Sequence, residues 1–171
     1  EMLIRFRREA QAAGRLVHPN IVLVFEYGEV ENTPYIVMEY VEGKELKAFL
    51  QERKPPPGET INIVTQILDG LNYAHRHQVV HRDIKPANIL ILDSGLVKIA
   101  DFGIAHLDRS EITQTGAILG TPSYMSPEQV NGHKVTAQSD LFSTGAVLYE
   151  MLVGKKPFKG NHPSVMQRIL Y

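Results

Sequence analysis

Apolar residues recur along this chain with two periods, and the switches between them divide it into elements. Phe6, Ala10, Ala13 and Val17 fall at helical spacing with Arg5, Arg7, Arg8 and Glu9 between them, so Met2 to Ala13 reads as a helix. His18-Pro19-Asn20 breaks it. Ile21 to Tyr27 and Tyr35 to Tyr40 are rich in β-branched and aromatic residues and predict two strands joined across Gly28 to Pro34. Glu45 to Arg53 predicts a short helix ended by Pro55-Pro56-Pro57. Glu59 to His77 predicts a long amphipathic helix with Ile63, Val64, Ile67, Leu68, Leu71 and Ala74 on one face. Short β-branched runs follow at Val79-Val80, Ile89-Leu90-Ile91 and Val97-Lys98-Ile99, separated by polar turns. Ala105 to Gly120 has few large apolar residues and predicts a mobile segment. Leu141 to Leu152 is apolar nearly all round and predicts a buried helix, stopped by Gly154 with Pro157 beyond.

The turns between the short strands concentrate the candidate chemistry. His81-Arg82-Asp83-Ile84-Lys85-Pro86-Ala87-Asn88 precedes Asp101-Phe102-Gly103, so polar groups sit where strands end and a ligand can reach them. Asn88 and Asp101 offer oxygen atoms suited to a hard cation such as Mg²⁺, which takes few protein ligands and completes its shell with phosphate and water. Asp83 can accept a proton from a hydroxyl, and Lys85 can face a transferring phosphate. An isolated Asp-Phe-Gly means little; both motifs in this order and spacing mean much more.

Those motifs resemble the eukaryotic-type, or Hanks-type, serine/threonine protein kinases. The first matches the catalytic loop H-R-D-x-K-x-x-N and the second the magnesium-binding D-F-G. Met38-Glu39-Tyr40-Val41 resembles the gatekeeper and hinge. Ser126-Pro127-Glu128 resembles A-P-E with Ser for Ala, and Asp140 to Gly145 the D-x-x-x-x-G opening of the central helix. Arg5 to Gln11 and Thr113-Gln114-Thr115 are most similar to the bacterial members.

The resemblance implies an α/β (α+β) bilobal fold, with 1–38 as the rear of the small lobe, 39–44 as the hinge and 45–171 as the large lobe. It also implies a glycine-rich loop and a strand lysine before Glu1, and further helices after Tyr171, so the chain is expected to be part of a kinase domain. ATP and Mg²⁺ or Mn²⁺ would be the cofactors, with protein Ser or Thr hydroxyls as acceptors. Asp83 would be the base, Lys85 would offset charge on the moving phosphoryl group, and Asn88 and Asp101 would hold the metal. Backbone groups of Glu39 and Val41 would meet the adenine edge, Glu45 and Leu90 would line the nucleotide, and Glu9 would pair with the strand lysine. Thr115, with Thr113 as a secondary site, would be phosphorylated by a second copy of the kinase and would pair with Arg82, with Arg5 and His106 completing the pocket. His81 would pack beneath Phe102, Asp140 would anchor amides of the catalytic loop, and Thr121 would reach Asp83 and Lys85. Glu128, without its family arginine, would be a buried carboxylate left unpaired. Two rivals are an inert scaffold of the same fold and a small-molecule phosphotransferase. The first is disfavoured by the presence of Asp83, Asn88 and Asp101, the second by the Ser126-Pro127-Glu128 segment.

Composition changes this picture little. The 171 residues are 43% hydrophobic and 22% charged with a net charge of −1, ordinary values for a globular protein. Near-neutral charge gives no support for nucleic-acid binding. The absence of Cys excludes disulfides and thiol chemistry. No apolar run reaches the ~18 residues of a membrane span, and there is no signal-peptide pattern. A cytoplasmic kinase domain is the expectation, its parent membrane-anchored as in many bacterial relatives.

Overall fold

A computed structural model describes residues 14–31, 33–102 and 122–171. The helix expected over Met2 to Ala13 and the segment from Ala105 to Gly120 lie outside them. The expected first strands form an antiparallel ribbon, β1 (Val24–Val30) with β2 (Thr33–Met38), paired from Val24↔Met38 to Val30↔Thr33. Both strands run into the stretch expected to be a connection. The ribbon reverses after Glu31, which takes the left-handed φ of 49° that a tight turn requires. Ile21, expected to open the first strand, instead makes an isolated parallel bridge to Ile99.

A second sheet of three antiparallel strands carries β3 (Gly43–Glu45), β4 (Ile89–Leu92) and β5 (Val97–Ile99) in that order. Glu45 pairs with Leu90, so the short helix α1 (Leu46–Glu52) starts one residue later than its pattern suggested. Helix α2 (Pro57–Arg76) begins on the third proline. Proline lacks only an amide that the first turn leaves unpaired anyway, so it starts this helix as well as closing the preceding segment. Val79 and Val80 are not a strand: the Val79 amide donates to the Ala74 carbonyl at the end of α2.

Ile63, Val64, Ile67, Leu71 and Ala74 form the buried face of α2, whereas Leu68 lies outside it and is exposed. Gly70 lies on that face for a reason of space. A Cβ there would come within 3.1 Å of both the Asn20 carbonyl and the Ile99 side chain, so α2 can press against β5 and the segment beside it only without one. The main core joins Leu16, Ile21, Leu46, Ile67, Leu71, Ile84, Ile89, Val97 and Ile99 to Val147 and Met151. Leu16 is buried and Val17 exposed, the reverse of the helical spacing first read for Val17.

The remaining described helices are α3 (Pro127–Val130), α4 (Ala137–Val153) and α5 (His162–Leu170). Gly154 ends α4 at a left-handed φ of 74°, as expected of a glycine stop. The expectation that α4 is buried all round fails. Leu141, Tyr149 and Leu152 are exposed, and much of the buried face is Ser139, Asp140, Ser143 and Thr144. A smaller cluster of Met125, Val165 and Ile169 holds α5. Among the described residues no helix is long and apolar enough to cross a membrane.

Candidate active site

The loop between α2 and β4 is built on Asp140, a 1% exposed carboxylate in the first turn of α4. Its Oδ2 accepts from the His81 amide at 2.9 Å and its Oδ1 from the Arg82 amide at 2.8 Å. Oδ2 also accepts from Nε2 of His75 on α2, at 2.7 Å. Removing a carboxylate from water is costly unless its oxygens are satisfied, and here three donors satisfy them. The arrangement also sets the backbone: Arg82 is held at φ 70°, in the left-handed region.

His81 is fully buried and joins two loops. Nε2 donates to the Ala100 carbonyl at 2.8 Å, Nδ1 accepts from the Asp83 amide at 3.2 Å, and the ring lies 4.6 Å from that of Phe102. Burial pushes this imidazole below its ordinary range, although Asp140, the Ala100 carbonyl, Asp83 and Asp101 all favour the cation. A neutral ring with one donor and one acceptor, both engaged, is a structural link and has no spare nitrogen for acid–base work.

Asp83 faces Lys85 and Asn88. Its Oδ2 accepts from Lys85 Nζ at 2.6 Å and from Asn88 Nδ2 at 3.2 Å, and Nδ2 also donates to the Asp83 carbonyl at 2.9 Å. Pro86 opens the 3₁₀ turn Pro86–Asn88 that brings Asn88 back towards Asp83. These bonds fix the Asn88 amide by its nitrogen, and no hydrogen bond to its side-chain oxygen occurs among the described residues. The Ala100 amide donates to the Asn88 carbonyl at 2.9 Å, so Asp101, next in the chain, is held beside it. Asp101 is exposed at φ 61°. An amide oxygen and an exposed carboxylate on adjoining backbones fit a hard cation that keeps phosphate and water in its shell.

The profile of the protein kinase domain matches residues 1–170. The chain belongs to the protein kinase domain family. This kinase domain is 48% identical over 167 residues to the serine/threonine-protein kinase PknB of Mycobacterium leprae, covering 94% of this chain and 27% of that protein. It is 49% identical over 162 residues to the serine/threonine-protein kinase PrkC of Bacillus subtilis, covering 94% and 25%. The chain thus spans about a quarter of the length of these curated relatives. Among solved structures, a point mutant of the PknI kinase domain of Mycobacterium tuberculosis superposes with a TM-score of 0.76 at 32% identity, covering 92% of this chain and 59% of that one. The fold is therefore the α+β fold of a protein kinase domain.

Within the kinase domain the other sequence-predicted residues fall in two places. Glu45 and Leu90 lie opposite each other across β3 and β4. Glu39 and Val41 follow the ribbon. The Glu39 amide donates to the Leu23 carbonyl at 2.8 Å, which leaves its own carbonyl as the backbone group able to meet a ligand. Glu9, Thr113 and Thr115 lie outside the described residues, as do Arg5, His106 and Thr121. Glu128 is corrected: it is partly exposed and accepts from the Ser139 hydroxyl, so it is neither buried nor unpaired. Desolvation pushes its carboxyl up, but hydrogen bonds from Ser139, its own amide and Ser126, with the charge of His133, hold it below the ordinary carboxylate range.

Three supporting residues of the kinase domain escaped the sequence reading. His75 holds Asp140, Lys98 pairs with the Glu39 carboxylate at 2.6 Å, and Gln129 donates to the Arg82 carbonyl at 2.6 Å. Only Gln129 carried a readable signal, as the last residue of a Ser-x-x-Gln capping box.

Proposed function

We propose that the protein containing this domain transfers the γ-phosphate of ATP to Ser and Thr hydroxyls of proteins, the activity that its relatives' names describe. The observation that carries the reading is the Asp83 carboxylate, held by Lys85 and Asn88 beside the strand that leads to Asp101. Asp83 would hold the acceptor hydroxyl and take its proton as the oxygen–phosphorus bond forms and the bond to ADP breaks. Lys85 would lie against the transferring group and offset its charge. Asn88 and Asp101 would hold Mg²⁺ or Mn²⁺, which when bound neutralises charge on the phosphates. The Glu39 carbonyl and Val41 backbone would meet the adenine edge, Glu45 and Leu90 would contact the rest of the nucleoside, and Glu9 would orient the strand lysine. Phosphorylation of Thr115, with Thr113 as a secondary site, by a second copy would switch the enzyme on through Arg82. The domain would work on the cytoplasmic side, in a parent anchored to the membrane.

Asp83→Asn in the full-length protein tests the reading. It keeps the shape but accepts the proton poorly, so kcat should fall ~10²–10⁴-fold while ATP affinity stays close to the parent's. Turnover within a few-fold of the parent would remove Asp83 from this role. For the switch, undiminished activity of Thr113→Ala/Thr115→Ala would dismiss it.

A further inference from the structure

We infer that Gln129 is a positioning residue for phosphotransfer, locking the peptide that precedes Asp83 into the setting the base requires. The inference rests on Asp83 being the base. Gln129 is the third residue of α3. Its Oε1 accepts from the Ser126 amide at 3.0 Å while Ser126 Oγ accepts from the Gln129 amide at 3.4 Å, which completes the cap. Capping therefore uses only the oxygen end of the side-chain amide. The nitrogen end reaches the Arg82 carbonyl at 2.6 Å, across 47 positions of sequence.

That carbonyl belongs to the peptide linking Arg82 to Asp83. Arg82 holds a left-handed φ of 70°, an uncommon setting for any residue but glycine, and it persists only when its surroundings over-determine it. Asp140 fixes the Arg82 amide from α4, and Gln129 fixes the carbonyl from α3. His81 Nδ1 accepts from the next amide, that of Asp83. Turning the Arg82–Asp83 peptide would swing the carbonyl off Gln129 and rotate the Asp83 carboxylate away from Lys85 and Asn88. Because α3 begins at Ser126-Pro127, the same side chain also couples the setting of that segment to the base.

Capping alone and locking predict opposite results for Gln129→Glu. A glutamate caps as well as a glutamine, since its carboxylate can accept from the Ser126 amide. It cannot donate to the Arg82 carbonyl unless it is protonated. In the full-length protein at about pH 8, Q129E should lower kcat about tenfold, the effect of one lost hydrogen bond and a charge set against a carbonyl. KM for ATP should stay at the parent's value, while the thermal midpoint falls modestly at high pH and recovers with kcat as pH falls. A partly buried carboxyl beside a carbonyl titrates above its ordinary range, so the deficit relative to the parent should narrow as pH falls to about 5.5 and the protonated acid donates again.

Parent-like turnover of Q129E at high pH would overturn the proposal, as would a deficit independent of pH. So would a loss of kcat matched by an equal weakening of ATP binding, because that is what a merely structural residue gives. Asp83→Asn, assayed alongside, separates the two failures. If D83N stays active, the base assignment falls and the lock with it; if D83N is inactive and Q129E is parent-like, only the lock falls.

Discussion

The loop from His81 to Asn88 and the ribbon from Val24 to Met38 would supply different parts of one proposed site, yet they are held by different physics. The loop has almost no regular structure, but its polar groups close on buried partners: Asp140 beneath it, Gln129 beside it, and its own His81 linking it to Ala100. The ribbon is regular, but Phe25, Val30, Tyr35, Val37 and Met38 are exposed. Among the described residues it is tied to the rest through Val24, packed against the main core, and, just outside its strands, through the Val22 amide on the Ile99 carbonyl and the Lys98–Glu39 ion pair. Regularity and rigidity are thus separate properties, and the groups proposed for the chemistry lie where buried polar contacts define position.

The comparison is tested most severely at its anchor. Asp140→Ala leaves the amides of His81 and Arg82, and the ring of His75, without their acceptor. Each orphaned buried donor costs ~1–3 kcal/mol, so a total loss of about 3 kcal/mol or more is expected, together with loss of activity. Denaturant midpoints of the full-length protein measure it. A variant that stays stable and active would show that the loop is not held from below.

Core truncation gives the next largest contrast. Ile99 is fully buried where β5 meets α2 and Ile21, so Ile99→Ala should cost ~2–5 kcal/mol. Val37→Ala on the ribbon, 41% exposed, should cost less than ~1 kcal/mol. Equal costs would mean that the ribbon carries packing the comparison denies it.

These sites also show what could be read from sequence. The buried face of α2 was legible at Ile63, Val64, Ile67, Leu71 and Ala74, because burial of apolar surface alone decides it. That Asp83, Lys85 and Asn88 would meet was legible from the motif, and the structure brings them together; the chemistry proposed for them comes from the family resemblance. Helix α4 misled. Its buried face is partly Ser139, Asp140, Ser143 and Thr144, which hydrogen-bond inward, with Ser143 Oγ donating to the Tyr124 carbonyl at 2.6 Å. No hydrophobic period reports such a face. His75 and Lys98 are likewise fixed by contacts distant in sequence, which no local pattern contains.

A smaller effect follows from His81. Its unfolded pKa is near ~6.5, and burial lowers it in the folded protein. Above ~6.5 the ring is neutral in both states and the folded protein has its full stability. As pH falls below that value the unfolded chain gains a proton that the folded one resists, so stability declines; Glu128, also lowered, adds to the decline only at more acidic pH. Thermal midpoints should therefore drop between about pH 7 and 5.5 in the parent. His81→Phe should lower the midpoint overall but flatten that slope, and an unchanged slope would assign it to another group.

The finest test concerns the link between the two regions. Lys98 on β5 pairs with Glu39, at the end of the ribbon, at 2.6 Å, with side chains 13% and 23% exposed. Glu39 Oε2 also accepts from the Leu23 amide, and Lys98 Nζ donates to the Ile21 carbonyl, so both partners are oriented before they meet. An exposed pair such as Lys44–Glu52, with side chains 49% and 61% exposed, has neither advantage. A double-mutant cycle of Lys98→Met and Glu39→Gln should give a coupling of about 1 kcal/mol, the upper part of the range for surface pairs, against near zero for Lys44 and Glu52. Raising salt to about 0.5 M should weaken the Lys98 coupling less than an exposed pair's, because partial burial limits screening. If the coupling is absent, the ribbon is held, among the described residues, by Val24 against the main core and by the backbone bonds of Val22 and Asn20 with Ile99. In that case Lys98→Met should leave KM for ATP unchanged. A real coupling should raise KM more than it lowers kcat, because it orients the carbonyl proposed to meet adenine and touches nothing around Asp83.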